Sequence, residues 1–93
     1  MKAIDALTEK LIGKSLPIIY PENSKQIYCF QNEIEKQNRK HQFNVDCVCI
    51  EETVEITDIE YNPEESFDVI KLKFQNGMYA KIFDWWNFEF NVL

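Results

Sequence analysis

The amino-acid sequence predicts an α+β domain: a twisted antiparallel sheet of four to five strands with one or two N-terminal helices packed on one face. Three observations support this prediction. The segment 67–90 alternates apolar and polar residues around a turn signal, and the segment 1–13 repeats apolar residues at helical spacing. The length of 93 residues suits one domain, which we assign to residues 1–93.

The strongest strand pattern surrounds the only Asn-Gly pair in the chain. Ile70, Leu72 and Phe74 alternate with polar residues, which places them on one face of a strand. Asn-Gly is typical of tight hairpin turns because both residues tolerate positive φ. A two-residue turn would set apolar residues opposite charged ones. We therefore favour a three-residue loop or a bulge that pairs Phe74 with Ala80 and Leu72 with Ile82.

Two segments have helical patterns. Residues 1–13 carry leucine and isoleucine at helical spacing, so one face of the helix is apolar. Residues 22–41 are predicted as a second helix, with Asn23 or Ser24 as the N-cap. Residues 26–31 also alternate as a strand would, so a strand there remains the alternative.

Three further segments have strand character: residues 16–20, 43–51 and 53–61. Prolines at both ends limit the first segment to a sheet edge. Apolar residues on both faces of the second predict a covered, central position. In the third, the apolar positions change phase near Thr57 and Asp58, which predicts a β-bulge. Residues 84–93 alternate as well and are predicted as a last strand, or as a turn that carries Trp85 and Trp86 into a strand.

The net charge of −6 is concentrated in one stretch. Residues 43–93 carry three lysines against eleven acidic residues, and between Asp46 and Asp68 nine acidic residues occur without any lysine or arginine. Such a stretch favours a docking face for a basic partner. The alternative is a solvated face that discourages edge-to-edge pairing of sheets.

Adjacent tryptophans, Trp85 and Trp86, supply a second functional signal. Neighbouring residues on a strand face opposite sides, so both can be buried only if a helix covers the outer face of the sheet. Tryptophan is enriched among the residues that dominate binding energy at interfaces. Trp85 is therefore a candidate for partner contact, with burial as the alternative.

Catalytic and metal-binding motifs are not found. The two glycines cannot build a phosphate-binding loop, and the spacing of Cys29, Cys47, Cys49 and the single His41 does not fit a zinc site. We expect no cofactor and no metal. The basic run at 36–41 is small for a nucleic-acid footprint on an acidic chain. Three cysteines favour reduced thiols in the cytoplasm, and no apolar run approaches the roughly 20 residues that span a bilayer.

In size, acidity and reduced cysteines the chain resembles small bacterial immunity or inhibitor proteins, a similarity of composition alone. We therefore predict a non-enzymatic cytoplasmic protein of bacterial or phage type, monomeric or homodimeric. It would block a basic protein partner, such as a nuclease or toxin, without binding nucleic acid or membrane. The predicted docking residues are Glu51, Glu52, Glu55, Asp58, Glu60, Tyr61, Glu64, Glu65 and Trp85.

Two other functions remain open at this point. One is a small-ligand or enzymatic domain whose pocket is lined by Trp85, Trp86, Tyr79 and Asp84. The other is a homo-oligomeric structural subunit that pairs through the strand at residues 84–93 or another exposed edge.

Overall fold

Five strands and two α-helices make up the fold in the computed structural model, which describes residues 2–43, 48–62, 64–65 and 68–93. The elements are α1 (Lys2–Leu11), β1 (Ser15–Pro21), β2 (Tyr28–Cys29), α2 (Glu33–Gln42), β3 (Cys49–Tyr61), β4 (Val69–Phe74), β5 (Tyr79–Phe83) and a 3-10 helix (Trp85–Asn87). The strand order is β2-β1-β3-β4-β5, and every pair of neighbours is antiparallel. The predicted α+β class with an antiparallel sheet of five strands is confirmed.

The long strand β3 joins the two halves of the sheet. Its first half pairs with β1 and its second half with β4. Glu51 and Glu52 do not interrupt it, so the two strands predicted on either side of this pair are one. Residues 44–47 of the first predicted strand lie outside the described residues. The predicted bulge is present, as a register shift between Ile56 and Asp58.

The sheet curves until its outer strands nearly meet. The Ile27 N–H donates to the Tyr79 carbonyl (2.9 Å), and the Tyr79 N–H donates to the Lys25 carbonyl (3.3 Å). These bonds form a parallel bridge between Gln26 and Tyr79, which closes most of the gap between β2 and β5. A nearly closed barrel leaves little exposed sheet edge.

The core lies inside this curved sheet. Its buried apolar side chains come from all five strands and from the two chain ends: Leu11, Leu16, Ile18, Tyr20, Ile27, Cys29, Ile56, Ile70, Leu72, Phe74, Ala80, Ile82, Trp85 and Phe90. Burial of each large apolar side chain contributes about 1.5–3 kcal/mol to folding. No buried side-chain nitrogen or oxygen in the described part of the chain lacks a hydrogen-bond partner.

The helices do not form the expected layer on one face of the sheet. Helix α1 packs Leu7 and Leu11 against the core, and the Gly13 N–H that follows it donates to the Ile56 carbonyl of β3 (2.9 Å). Helix α2 buries none of its residues and contacts the sheet through Lys36 and Lys40. No helix among the described residues is long and apolar enough to cross a bilayer.

The second predicted helix begins at Glu33, eleven residues later than the predicted start at residue 22. Asn32 is the N-cap of α2, where its side chain accepts a hydrogen bond from the Glu35 N–H (2.8 Å). Asn23, the predicted cap, has φ of 71° and lies in a turn. The segment between them contains the short strand β2, in agreement with the alternative prediction of a strand at residues 26–31. Tertiary packing decided this, because Ile27 and Cys29 are buried in the core.

The prediction that β1 is an edge strand was wrong. Strand β1 lies between β2 and β3, yet β2 pairs only with Ile18 and Ile19. Pro17 and Pro21 lie outside that paired part, so their missing N–H groups do not interrupt the β1–β2 ladder.

The β4–β5 hairpin has the predicted faces and a different register. Leu72 pairs with Ala80 and Ile70 with Ile82, two residues away from the predicted pairs, so the same side chains still point into the core. The Phe74 N–H donates to the Met78 carbonyl (3.0 Å) and the Gly77 N–H to the Phe74 carbonyl (3.0 Å). The loop therefore has three residues, 75–77, as predicted.

The chain end is not the predicted strand. Asp84, with φ of 49°, turns the chain into the 3-10 helix. This turn agrees with the alternative prediction of a turn that carries Trp85 and Trp86, but no strand follows it. The following residues lie across the start of β1. The Leu93 N–H donates to the Ser15 carbonyl (2.8 Å), and the Glu89 N–H donates to the side chain of Gln31 (2.8 Å).

Replacement of Gly77 by alanine tests the hairpin loop. Gly77 has φ of 83°, and no atom lies within 4 Å of an added Cβ, so only the backbone conformation is penalised. We expect Gly77→Ala to lower the free energy of unfolding by about 1 kcal/mol, and Gly77→Asn by less, since asparagine tolerates this conformation. Urea denaturation measures both. Equal midpoints for wild type and Gly77→Ala would contradict the loop geometry.

Candidate functional site

The acidic stretch does not form one continuous face. On β3 the outward-facing acidic residues are Glu51, Glu55, Asp58 and Glu60, whereas Glu52 shares a face with its cross-strand partner Ile18. Glu51 and Glu60 are nine residues apart, or about 30 Å along an extended strand. A standard interface covers about 800 Å² on each partner, so it cannot be centred on both ends of β3.

Lysines from α2 neutralise the first end of β3. The Glu51 carboxylate accepts from Lys40 (3.0 Å) and Lys36 (3.1 Å), and Lys36 also contacts Glu33 (2.9 Å). Lys40 and Lys36, in that order, hold the pKa of Glu51 below its ordinary value. Glu51 therefore anchors α2 to the sheet, and two lysines balance its charge.

Lysines also balance the negative charge at the other end of β3, on the outer face of the sheet. Lys73 and Lys71 of β4 lie 3.2 Å and 3.8 Å from the Glu60 carboxylate. The Lys71 ammonium lies 4.2 Å from the centre of the Tyr79 ring as well. The outer face of β3–β4 is thus a mixture of both charges, because β4 places its lysines directly beside the acidic residues of β3.

Three predicted acidic residues lie between these ends. The Tyr20 hydroxyl donates to the Glu52 carboxylate (3.1 Å), and the Ile59 N–H donates to Asp58 (2.8 Å). Glu55 is exposed. No exposed large apolar residue of the described chain lies on this central part of β3. These side chains fit the solvated-face interpretation of the acidic stretch.

The best candidate surface lies where the end of β3, the start of β4 and the end of β5 meet. Tyr61 pairs with Ile70, and Val69 with Phe83, so the residues that flank these pairs share one end of the sheet. We call this surface the acidic–aromatic end and define it as Glu60, Tyr61, Glu64, Glu65, Asp68, Phe83, Asp84 and Trp86. This surface holds five carboxylates. Lys71 and Lys73 are paired with Glu60, and Lys71 and Lys81 line a groove beside it.

The two tryptophans differ in exposure, and the alternative of burial applies to Trp85. Trp85 is only 5% exposed, with its ring edge-on to Tyr61 at 5.8 Å, so it cannot contact a partner. Trp86 is 50% exposed and stands edge-on to Trp85 at 5.5 Å. The prediction of Trp85 as a docking residue was therefore wrong, because the residues lie in a 3-10 turn that directs Trp85 into the core.

Phe83 is the exposed aromatic that the sequence analysis missed. Its side chain is 65% exposed on the outer face of β5. The alternation of β5 carried the signal, since buried Ala80 and Ile82 leave Lys81 and Phe83 outside. Tyr61, predicted as an exposed aromatic, is instead half-buried against the core.

An open groove of about 660 Å³ crosses the acidic–aromatic end. Its lining is Glu60, Tyr61, Asn62, Glu65, Val69, Ile70, Lys71, Lys81 and Phe83. Three predicted docking residues, Glu60, Tyr61 and Glu65, therefore meet in one place. Neither tryptophan lines this groove, and neither does Tyr79 or Asp84, so the groove is not the tryptophan-lined pocket that the sequence suggested.

The thiols do not form a reactive or metal-binding centre in the described part of the chain, where no three histidine, cysteine or acidic side chains are placed to hold a metal ion. Burial, and to a lesser degree the charge of Glu35, raises the pKa of Cys29 to about 12. The Cys29 thiol is therefore protonated at neutral pH and is a poor nucleophile.

Comparison with known proteins returned no match to a family model, to a curated protein or to a solved structure.

The different burial of the two tryptophans predicts losses of stability of different size on mutation. Trp85→Ala removes a buried indole, so we expect a loss of about 3–5 kcal/mol in the free energy of unfolding. Trp86→Ala removes a half-exposed ring, so we expect a loss below about 1 kcal/mol. Urea denaturation followed by far-ultraviolet circular dichroism measures both. Similar losses for the two variants would contradict the burial described here.

The ion pairs of Glu51 predict a dependence of stability on pH. Because the folded-state pKa of Glu51 is lowered, its contribution is present above the unfolded pKa of about 4.3 and is lost as the pH falls through the folded value. Glu51 is half-exposed, so the contribution is below about 1 kcal/mol. Glu51→Gln should reduce stability at pH 7 and leave it unchanged near pH 2. An equal loss at both pH values would contradict an ionic origin.

Proposed function

We propose that the protein is a non-enzymatic binding protein that docks onto a basic protein partner through the acidic–aromatic end. One observation carries the proposal: two exposed aromatic residues, Phe83 and Trp86, lie at the same sheet end as five carboxylates. In this proposal the protein acts as an inhibitor or immunity protein and covers the functional site of its partner, a nucleic-acid-handling protein such as a nuclease or toxin.

The aromatic residues supply the expected anchors of this surface. Tryptophan combines a large apolar area with few rotatable bonds, and it is enriched among residues whose truncation costs 2 kcal/mol or more at interfaces. Trp86 also rests on buried Trp85, which limits its motion before binding (ring centres 5.5 Å apart). A pre-positioned aromatic side chain loses less conformational entropy on association.

The carboxylates attract a positively charged partner and favour it over a negatively charged one. Glu64 and Glu65 are exposed on the β3–β4 connection, and no ion pair of the described residues involves either of them. Charges of this kind attract a basic partner over about 10 Å at moderate salt and lose that effect as salt rises. Association should therefore be fast and sensitive to salt, with the aromatic contacts setting the dissociation rate.

Self-association through this surface is less favourable. A symmetric dimer would place its carboxylates against their own copies, and like charges at an interface are repulsive. The residues predicted to pair as an edge strand, 84–93, bond instead to Ser15 and Gln31 of the same chain. We therefore favour a monomer that binds a different protein, in the cytoplasm as the reduced thiols suggest.

Affinity capture with matched variants tests the docking surface. Immobilised wild-type protein and the variants Trp86→Ala and Glu64→Lys/Glu65→Lys are exposed to native cell lysate at low and high salt. We expect wild type to retain a basic protein in stoichiometric amount at low salt. Trp86→Ala should weaken its retention at least tenfold, and the charge reversal should remove most of the salt dependence.

Two controls match the chemistry of these variants at distant positions. Ile34→Ala truncates an apolar residue that is 76% exposed on α2, and Glu9→Lys/Glu22→Lys reverses two exposed carboxylates elsewhere. Both should capture the partner as wild type does. Equal capture by all variants, or loss of capture with the controls, would place the interface somewhere other than the acidic–aromatic end.

A further inference from the structure

The groove in the acidic–aromatic end is polarised across its width. The strand order places β4 between β3 and β5, so β4 forms the floor. Glu65 lies in the connection that follows β3, on one side, and Lys81 and Phe83 belong to β5, on the other. One wall is therefore acidic and the opposite wall is basic and aromatic.

Some charged side chains of the two walls are already in ion pairs within the protein, and others are not. Glu60 is paired with Lys71 and Lys73 (3.8 Å and 3.2 Å). Lys81 and Glu65 take part in no ion pair of the described residues. Lys81 also lies directly opposite Lys71 across the β4–β5 ladder, where like charges repel. The groove thus offers one uncompensated cation and one uncompensated anion.

The outward-facing side chains of the floor are Val69, which is apolar, and Lys71, whose charge is already paired with Glu60. Val69 pairs with Phe83 on the outer face of β4–β5, and Phe83 is 65% exposed. An apolar or aromatic group placed on this pair would remove exposed ring surface from water, which is favourable.

We infer that the groove binds a short peptide of about three residues. Its terminal carboxylate contacts the Lys81 ammonium, its terminal ammonium contacts the Glu65 carboxylate, and its central apolar side chain packs on Phe83. Two strand spacings, or about 10 Å, separate β3 from β5 across the floor, and Glu65 lines the same groove from the connection four residues after β3. An extended tripeptide spans about the same length, so its termini reach both walls.

This inference does not depend on the docking of a protein partner. It requires only the groove, its two uncompensated charges and the exposed phenylalanine. The two experiments share Glu65, but the docking experiment also uses Trp86→Ala, a change at a residue that does not line the groove. The two proposals can therefore fail separately.

Titration of the full chain with three forms of one peptide tests the inference. Nuclear magnetic resonance spectra of the 15N-labelled protein are followed as the free tripeptide Gly-Phe-Gly, its N-acetylated form and its C-amidated form are added. We expect the free peptide to shift the amide signals of Glu65, Lys81 and Phe83. Blocking either terminus should weaken binding about threefold, the effect of one exposed ion pair.

Variants assign each terminus to its wall. Lys81→Gln should weaken binding of the free and N-acetylated peptides about threefold and leave the C-amidated peptide unaffected. Glu65→Gln should weaken binding of the free and C-amidated peptides and leave the N-acetylated peptide unaffected. Lys10→Gln, which removes an exposed lysine from α1, is the matched control and should bind all three forms as wild type does.

Three outcomes would overturn the inference. The first is no shift of groove signals at the solubility limit of the peptide. The second is equal binding of the free and blocked peptides, which would indicate apolar contact alone. The third is an equal effect of each variant on all three peptides, which would indicate that the charges act on the fold and not on the peptide termini.

Discussion

The whole structure depends on β3, the one strand shared by both halves of the sheet. Its first half pairs with β1 and its second half with β4. The bulge between Ile56 and Asp58 lets Val54, Ile56, Ile59 and Tyr61 all face the core although their spacing in the chain changes phase. Without that extra residue, one half of β3 would turn its apolar side chains outward, and the two halves could not enclose a common core.

The same strand explains why a strongly acidic stretch does not produce a strongly acidic face. Alternation sends most of its carboxylates outward, and the neighbouring elements then place lysines beside them. Lys36 and Lys40 reach Glu51 from α2, whereas Lys71 and Lys73 reach Glu60 from β4. Local charge balance leaves the carboxylates at the turn, Glu64 and Glu65, without an ion pair among the described residues.

Local patterns predicted much of the fold. The hairpin, its three-residue loop, the bulge in β3 and the apolar face of α1 all follow from periodicity or from residues that tolerate positive φ. Where two periodicities coexisted, as at residues 26–31, burial of Ile27 and Cys29 decided in favour of a strand. Of the candidate site, Glu60, Tyr61, Glu64 and Glu65 were predicted as docking residues. Trp86 was predicted only as part of a ligand pocket and Phe83 not at all, because their exposure depends on how β5 and the 3-10 turn pack.

By itself, the sequence determined the class of the fold, the positions of its most regular elements and the unequal distribution of charge, since periods of two and 3.6 residues and the order of charged residues are local properties. Tertiary structure alone decided which acidic residues meet lysines, which tryptophan is buried and where a groove opens. Those outcomes depend on contacts between residues far apart in the chain, such as Tyr61 with Trp85 and Lys40 with Glu51, which no local pattern encodes.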